Sequence, residues 1–210
     1  MNREEAEAWL VASLSVSRET LDRMAKFVDV LIDANRRQNL ISPTTIPDVW
    51  ERHIIDSAQL LLHTRSRGTW IDIGSGAGLP GMVVALLAAV DVTLVESRRL
   101  RVQFLNETRE RLHLRNLRVL HGDVRRVSHP VVDVISARAV ASLDALLDVG
   151  RQFAAPHTRW VLPKGRSAKS ELAAAESSWQ GRFSLVPSIT DADAGIILLD
   201  GVPELRKSRP

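Results

Sequence analysis

Residues 69–81 read TWIDIGSGAGLPG and carry the clearest chemistry in the chain. An apolar run breaks into three glycines at alternate positions, Gly74, Gly76 and Gly78, and Leu79 and Pro80 then open a second apolar segment, 82–90. Lacking Cβ atoms, such glycines adopt positive φ and let a ligand approach the backbone, while the helix start that follows offers unpaired N–H groups. Pro80 suits a first helical turn, where its missing N–H costs nothing. The spacing is G-x-G-x-G; the dinucleotide fingerprint G-x-G-x-x-G would need glycine where the chain has Leu79. About 20 residues further on, where a ribose-binding acid is expected, a second apolar run, 92–95, ends in Glu96. The pair predicts a nucleoside-containing ligand lying across two adjacent strand ends. A glycine-rich turn that binds nothing is the plainer alternative, and the acid after the second run argues against it.

These residues need a scaffold, and the pattern supplies one. Residues 2 to about 63 read as helical. Leu21, Met24, Phe27, Val28, Leu31 and Ile32 recur at helical spacing after a start at Ser17, and Trp50, Ile54, Ser57, Ala58 and Leu61 mark one face of a further helix. A linker, 64–68, leads into seven strand candidates, 70–73, 92–96, 117–120, 132–136, 160–162, 183–189 and 195–199, with helices starting near Leu79, Arg98, Leu143 and Ser167. Alternation of this kind predicts an α/β fold with a mostly parallel seven-stranded sheet, helices on both faces and an antiparallel hairpin at the end. The domain reading is a helical extension, 1–68, packed on a core, 69–210. In such sheets ligands sit outside the carboxyl ends of the strands. Those ends hold 72–78, Glu96, 122–125, 136–138 and 163–165, each polar after an apolar run.

Composition narrows the function classes. The chain has 210 residues and no Cys, so disulfides, thiolate metal sites and a cysteine nucleophile are excluded. The six histidines show no metal-binding spacing, so no metal is expected. The N-terminus, MNREEAEAWL, is charged, and no apolar run reaches membrane-spanning length, which reads as a soluble, cytoplasmic protein. A formal charge of +3 is compatible with a polyanionic partner without demanding one. Arg36, Arg37, Arg65 and Arg67, nearer the expected site edge, are the favoured group for contacting a polyanionic partner; the basic helix 98–115, with Leu100, Phe104, Thr108 and Leu112 on one stripe, reads as a solvated outer face. The five tryptophans read as packing, with Trp50 or Trp160 able to stack a base.

Several segments together, DIGSGAGLPG at 72–81, ISARAVASL at 135–143, Lys164–Gly165, NLIS at 39–42 and RHIIDS at 52–57, resemble the small-subunit ribosomal RNA guanine-N7 methyltransferases, the glucose-inhibited division protein B (RsmG) family. The resemblance spans residues 20–200 and implies a Rossmann-like class I methyltransferase fold with S-adenosylmethionine as methyl donor. It also implies 16S ribosomal RNA or the small ribosomal subunit as partner and a guanine of the 530 loop as target; the sequence itself leaves the oligomeric state open, with a monomer as the expectation. Carried over by motif, the glycine loop from Gly74 through Gly76 and Gly78 to Leu79 would hold the donor. Glu96 would take its ribose, Val124 and Arg125 its adenine side, and Arg138 its amino-acid end or the adjacent substrate pocket. Two departures stand out. Pro163 replaces an aliphatic residue before Lys164, and HGDVRR, 121–126, replaces a more acidic run, which leaves Arg125 to act through its backbone and Asp123 to take the polar role.

The implied chemistry is undemanding of acids and bases. Guanine N7 carries a free lone pair and attacks a methyl sulfonium without losing a proton, so catalysis rests on alignment, which can supply about 7–11 kcal/mol. Arg138 and Lys164 are the candidates for fixing O6 and phosphates, Arg through a planar fork and Lys as a compact charge. A salt bridge from Arg138 to Asp72 or Glu96, and a turn role for Lys164, are the structural alternatives. His53, Asp56 and Ser57 share a helix face and either cover the donor site or bond internally. Other classes fit less well. Amino-methylating enzymes carry Asn/Asp-Pro-Pro-aromatic where this chain has SARAV, an oxidoreductase lacks both the third glycine and any Tyr, and a binding module without transfer would not need the loop and Glu96 intact.

Overall fold

A computed structural model describes residues 1–65, 67–138 and 141–206. Ser66 of the linker, Ala139 and Val140 of the 135–143 segment, and residues 207–210 lie outside the described residues. Seven strands form one sheet: β1 (Arg67–Ile73), β2 (Ala89–Glu96), β3 (Leu117–His121), β4 (Val134–Ser136), β5 (Arg159–Lys164), β6 (Trp179–Pro187) and β7 (Gly195–Leu205), in the order β3-β2-β1-β4-β5-β7-β6. Strands β1 to β5 pair in parallel, and β7 runs antiparallel to both β5 and β6. The carboxyl ends of β1 to β5 therefore meet on one edge.

Alternating side chains supply two apolar layers. Trp70, Leu94, Val134 and Val161 face one layer with the N-terminal helices α1 (Arg3–Leu14) and α2 (Arg18–Asn35) and with α4 (Gly81–Leu87) and α5 (Arg99–Arg111). Ile71, Val95, Ile135 and Leu162 face the other with α6 (Leu143–Gly150) and α7 (Ala168–Ser178). The Ser17 side chain accepts from Thr20 N and starts α2 as the sequence indicates. Met24, Phe27 and Leu31 of that helix are fully buried, each contributing about 1.5–3 kcal/mol.

Four expectations change. The regular helix expected over 50–61 is instead a π-helical stretch, Trp50–Ile55, followed by one α-turn, α3 (Asp56–Ala58), and a 3₁₀ segment, Gln59–His63. The stretch is buried on more than one face, since His53, Ile54, Ile55, Ser57 and Gln59 all point inward, and the wide π turn accommodates this. Strand β4 starts at Val134 and not at residue 132, because the Asp133 carboxylate takes the Thr69 N–H at 2.8 Å, where a ladder partner would be. Strands β6 and β7 outrun their apolar cores: polar Gln180 and Arg182 flank a bulge, and Gly201 carries β7 past a φ of 85°. On α5, Phe104 and Thr108 are buried, as is Leu112 at its C-cap, but Leu100 is 65% exposed and leaves the stripe.

Candidate donor and acceptor site

The glycine loop is built as its composition requires. Gly74, Gly76 and Gly78 have φ of 68°, 55° and 83°, a region costly for residues with a Cβ. Gly74 N and Ser75 N donate to Val95 O at 2.8 and 3.1 Å, which ties the loop to the end of β2. A Cβ on Gly76 would meet nothing nearer than Arg101 Nη1 at 3.6 Å, so the backbone there lies bare, as a loop that cradles a ligand should. Leu79 is buried, and its N–H donates to Ser75 O at 3.2 Å.

Glu96 is 4% exposed at the adjoining strand end. Its Oε2 accepts from Gly76 N at 2.9 Å and its Oε1 from Arg98 N at 2.8 Å, so the carboxylate joins the loop to the start of α5. A carboxylate has about four acceptor positions, which leaves capacity for ribose hydroxyls. After β3, Asp123 Oδ1 accepts from Arg125 N at 3.0 Å, and Val124 O accepts from Gln152 Nε2. The Arg125 amide is thus engaged inside its own turn.

Beneath the loop lies Asp72, fully buried. Trp70 Nε1 donates to Ser136 Oγ at 2.7 Å, Ser136 Oγ donates to Asp72 Oδ1 at 2.7 Å, and Gly81 N reaches Asp72 Oδ2 at 3.3 Å. Burial pushes its carboxyl up to about 6, against the bonds from Ser136 and Gly81. His53, also buried, is pushed down to about 3, first by burial and then by the charges of Arg138 and Arg52. The two act on stability in opposite senses. Between about pH 4 and 6 the folded chain holds a proton on Asp72 that the unfolded chain has lost, so stability falls as pH rises and the cost, about 3 kcal/mol, is complete above pH 6. Across the same interval the unfolded chain protonates His53 while the folded chain does not, so stability falls as pH drops. Asp72→Asn removes the first slope, and its denaturant midpoint should climb more steeply from pH 4 to 6 than that of the parent chain; equal slopes would contradict the Asp72 assignment.

On the other side of β1, at the ends of β4 and β5, a cleft of about 490 Å³ is walled by Arg52, His53, Asp56, Arg138, Lys164 and Asp191. Arg138 pairs neither with Asp72 nor with Glu96. Its Nη1 lies 3.4 Å from Asp56 Oδ2, 3.2 Å from His53 Nδ1 and 3.3 Å from Arg52 O. Burial pulls its pKa below the ordinary guanidinium value and Asp56 counters this; a guanidinium nonetheless stays charged. Lys164 lies 2.8 Å from Glu171 and donates to Ala141 O at 2.9 Å, fixing the start of the segment that leads into α6. Ser57 bonds internally, to His53 O, rather than covering the loop.

Sequence reasoning did not find the partner loop 188–191. Gln59 Oε1 accepts from Ile189 N, Thr190 Oγ1 donates to Asp56 Oδ1, and Asp191 pairs with Arg52 at 3.0 Å. Only the acids of DADA, 191–194, hinted at it. The favoured basic group also divides. Arg67 opens β1 at the amino edge, six residues before Ile73 and so about 20 Å from the site, because the linker must enter the sheet opposite its ligand edge. Arg36 and Arg37 stay near, since Asn35 Oδ1 holds Leu40 N and Ile41 N, whose residues border the cleft. Trp160 is fully buried and Trp50 9% exposed, so both serve packing and neither stacks a base.

A 3-2-1-4-5-7-6 sheet with a glycine loop after β1 and an acid after β2 is the architecture of the class I methyltransferases, which take S-adenosylmethionine as donor. A SAM dependent methyltransferase from Aquifex aeolicus shares this fold, with a TM-score of 0.59 at 15% identity over 77% of this chain and 99% of its own. The family model GidB, rRNA small subunit methyltransferase G, matches residues 20–194, and the chain belongs to that family. Similar relatives named Ribosomal RNA small subunit methyltransferase G occur in Rhizorhabdus wittichii, 47% identical over 96% of this chain and 94% of theirs, and in Novosphingobium aromaticivorans, 45% identical over 92% and 86%. Among the described residues no helix is long and apolar enough to cross a membrane.

Proposed function

We propose that this chain transfers the methyl group of S-adenosylmethionine to N7 of a guanine in the 530 loop of 16S ribosomal RNA, as a cytoplasmic monomer acting on the RNA or the small subunit. Family membership supports the ribosomal RNA substrate. The observation that carries N7 is the state of the cleft: among the described residues, each ionisable side chain on its wall is already engaged. Asp56 holds Arg138, Glu171 holds Lys164, Asp191 holds Arg52, and both ring nitrogens of His53 are bonded. The Arg52 bond lowers the pKa of Asp191; burial raises that of Glu171, but the Lys164 and Ser167 bonds outweigh it, and both remain weak bases. A nucleophile that needs no deprotonation matches such a cleft.

When bound, the donor supplies an electrophilic methyl on a sulfonium. The backbone of Gly74, Gly76, Gly78 and Leu79 holds it, Glu96 orients its ribose, and Asp123, Val124 and Arg125 border its adenine. Arg138 faces its amino-acid end or the guanine O6, leaving N7 open, and Lys164 adds charge on the same wall. Residues 1–68 form the extension that roofs the cleft, with 69–210 as the transfer domain. A substrate RNA carrying 7-deazaguanine at the target position tests the nucleophile. It should bind like the parent RNA and accept no methyl; methylation of that RNA would refute attack by N7.

A further inference from the structure

We infer that His53 is a positioning residue that aims Arg138 into the cleft, an inference resting on the role just given to Arg138. Among the described residues all partners of this guanidinium gather on Nη1, and Nε and Nη2 have none. With Nη1 anchored, the Nε–Nη2 edge is the face left for a ligand, and it matches a two-oxygen anion such as a carboxylate or phosphate. The same edge laid across guanine O6 and N7 would occupy the nucleophile, so anchoring Nη1 also decides which ligand groups Arg138 can take.

The His53 ring is set from both sides. Arg has donors only, so Nδ1 must be the unprotonated acceptor. At the other nitrogen, Thr45 Oγ1 donates its single proton to Ser42 O at 2.8 Å and must therefore accept from Nε2, also at 2.8 Å. Both ends require the neutral Nε2–H tautomer, and the depressed pKa keeps the ring in it through the neutral range. A protonated Nδ1 would oppose Arg138. Asp56 gives Arg138 its counter-charge, but it sits further off and is shared with Gln59 and Thr190. The nearer, directional acceptor at 3.2 Å is His53 Nδ1. The π-helical turn, which shifts His53 and Asp56 from the register of a regular helix, is what brings an N-terminal segment to this strand end.

Two variants of similar bulk separate aiming from packing. Asn places its side-chain oxygen where Nδ1 lies, whereas Leu offers no acceptor, and both lose the Thr45 bond. His53→Leu should lower kcat/KM for small subunits about 100-fold, the scale of a misplaced positioning group. His53→Asn should stay within about tenfold of the parent, with the two unfolding midpoints alike. Equal activity losses in both variants, or losses that follow their midpoints, would overturn the inference. Arg138→Ala, assayed alongside, separates the two levels. An inactive Arg138 variant beside a fully active His53→Leu leaves the role of Arg138 standing and removes that of His53, whereas an active Arg138 variant removes both.

Discussion

Arg138→Ala is expected to lower methyl transfer by about 100- to 1,000-fold, the loss that follows removal of one preorganised donor from a site, while the fold survives. The side chain closes the carboxyl end of β4 against the π-helical segment, and its charge is directed at the cleft. Stability should fall by about 1–3 kcal/mol, the cost of leaving the acceptors His53 Nδ1, partly buried, and Arg52 O without their donor. Asp56 keeps its bonds from Gln59 and Thr190, its side chain is 20% exposed and rehydrates, and the Gln59–Ile189 bond still ties the helical segment to the sheet. Turnover with labelled donor and a thermal melt decide the matter. Full turnover in a folded variant would remove Arg138 from the site, and a collapsed melt would make it a structural tie instead.

Gly78→Ala should have the largest effect on stability, about 2–4 kcal/mol. At a φ of 83° an alanine pays for the left-handed backbone, about 1–2 kcal/mol. Its Cβ would also lie 3.0 Å from Met82 Cβ and 3.1 Å from Leu105 Cδ2, both buried, adding about 1–2 kcal/mol of overpacking. Gly76→Ala is the informative partner, because its Cβ would make only ordinary van der Waals contacts, with Arg101 Nη1 at 3.6 Å and Gly74 O at 3.8 Å, and its cost reduces to the backbone alone. That variant should remain folded yet bind S-adenosylmethionine far more weakly in calorimetry, since the methyl stands on the bare side of the loop. Unchanged donor affinity in Gly76→Ala would mean that the loop does not hold the donor.

Much of this was legible because residue type alone decided it. Three glycines after an apolar run admit few backbones, and all three take positive φ. Parallel strands with ordinary crossovers fix which ends converge, so the sequence pattern alone puts Glu96, Arg138 and Lys164 on one sheet edge, where the structure has them. The partners were not legible. Arg138 meets His53 and Asp56 across 85 and 82 residues, and no periodicity records such a contact. Lys164 and Glu171 stand seven apart, but the pairing needs the strand-to-helix turn between them. The π turn escaped because its apolar pattern is also that of an α-helix. Arg65 and Arg67 misled for a topological reason: proximity in sequence to the glycine loop became distance in space once β1 lay between them.

The most direct test of the central claim is transfer of labelled methyl from S-adenosylmethionine to small ribosomal subunits from cells lacking this protein, with the modified nucleoside identified and mapped. Stoichiometric N7-methylguanine at one position in the 530 loop is the predicted result. A methyl group on any other atom or base, or no transfer by a chain that binds the donor, would contradict it.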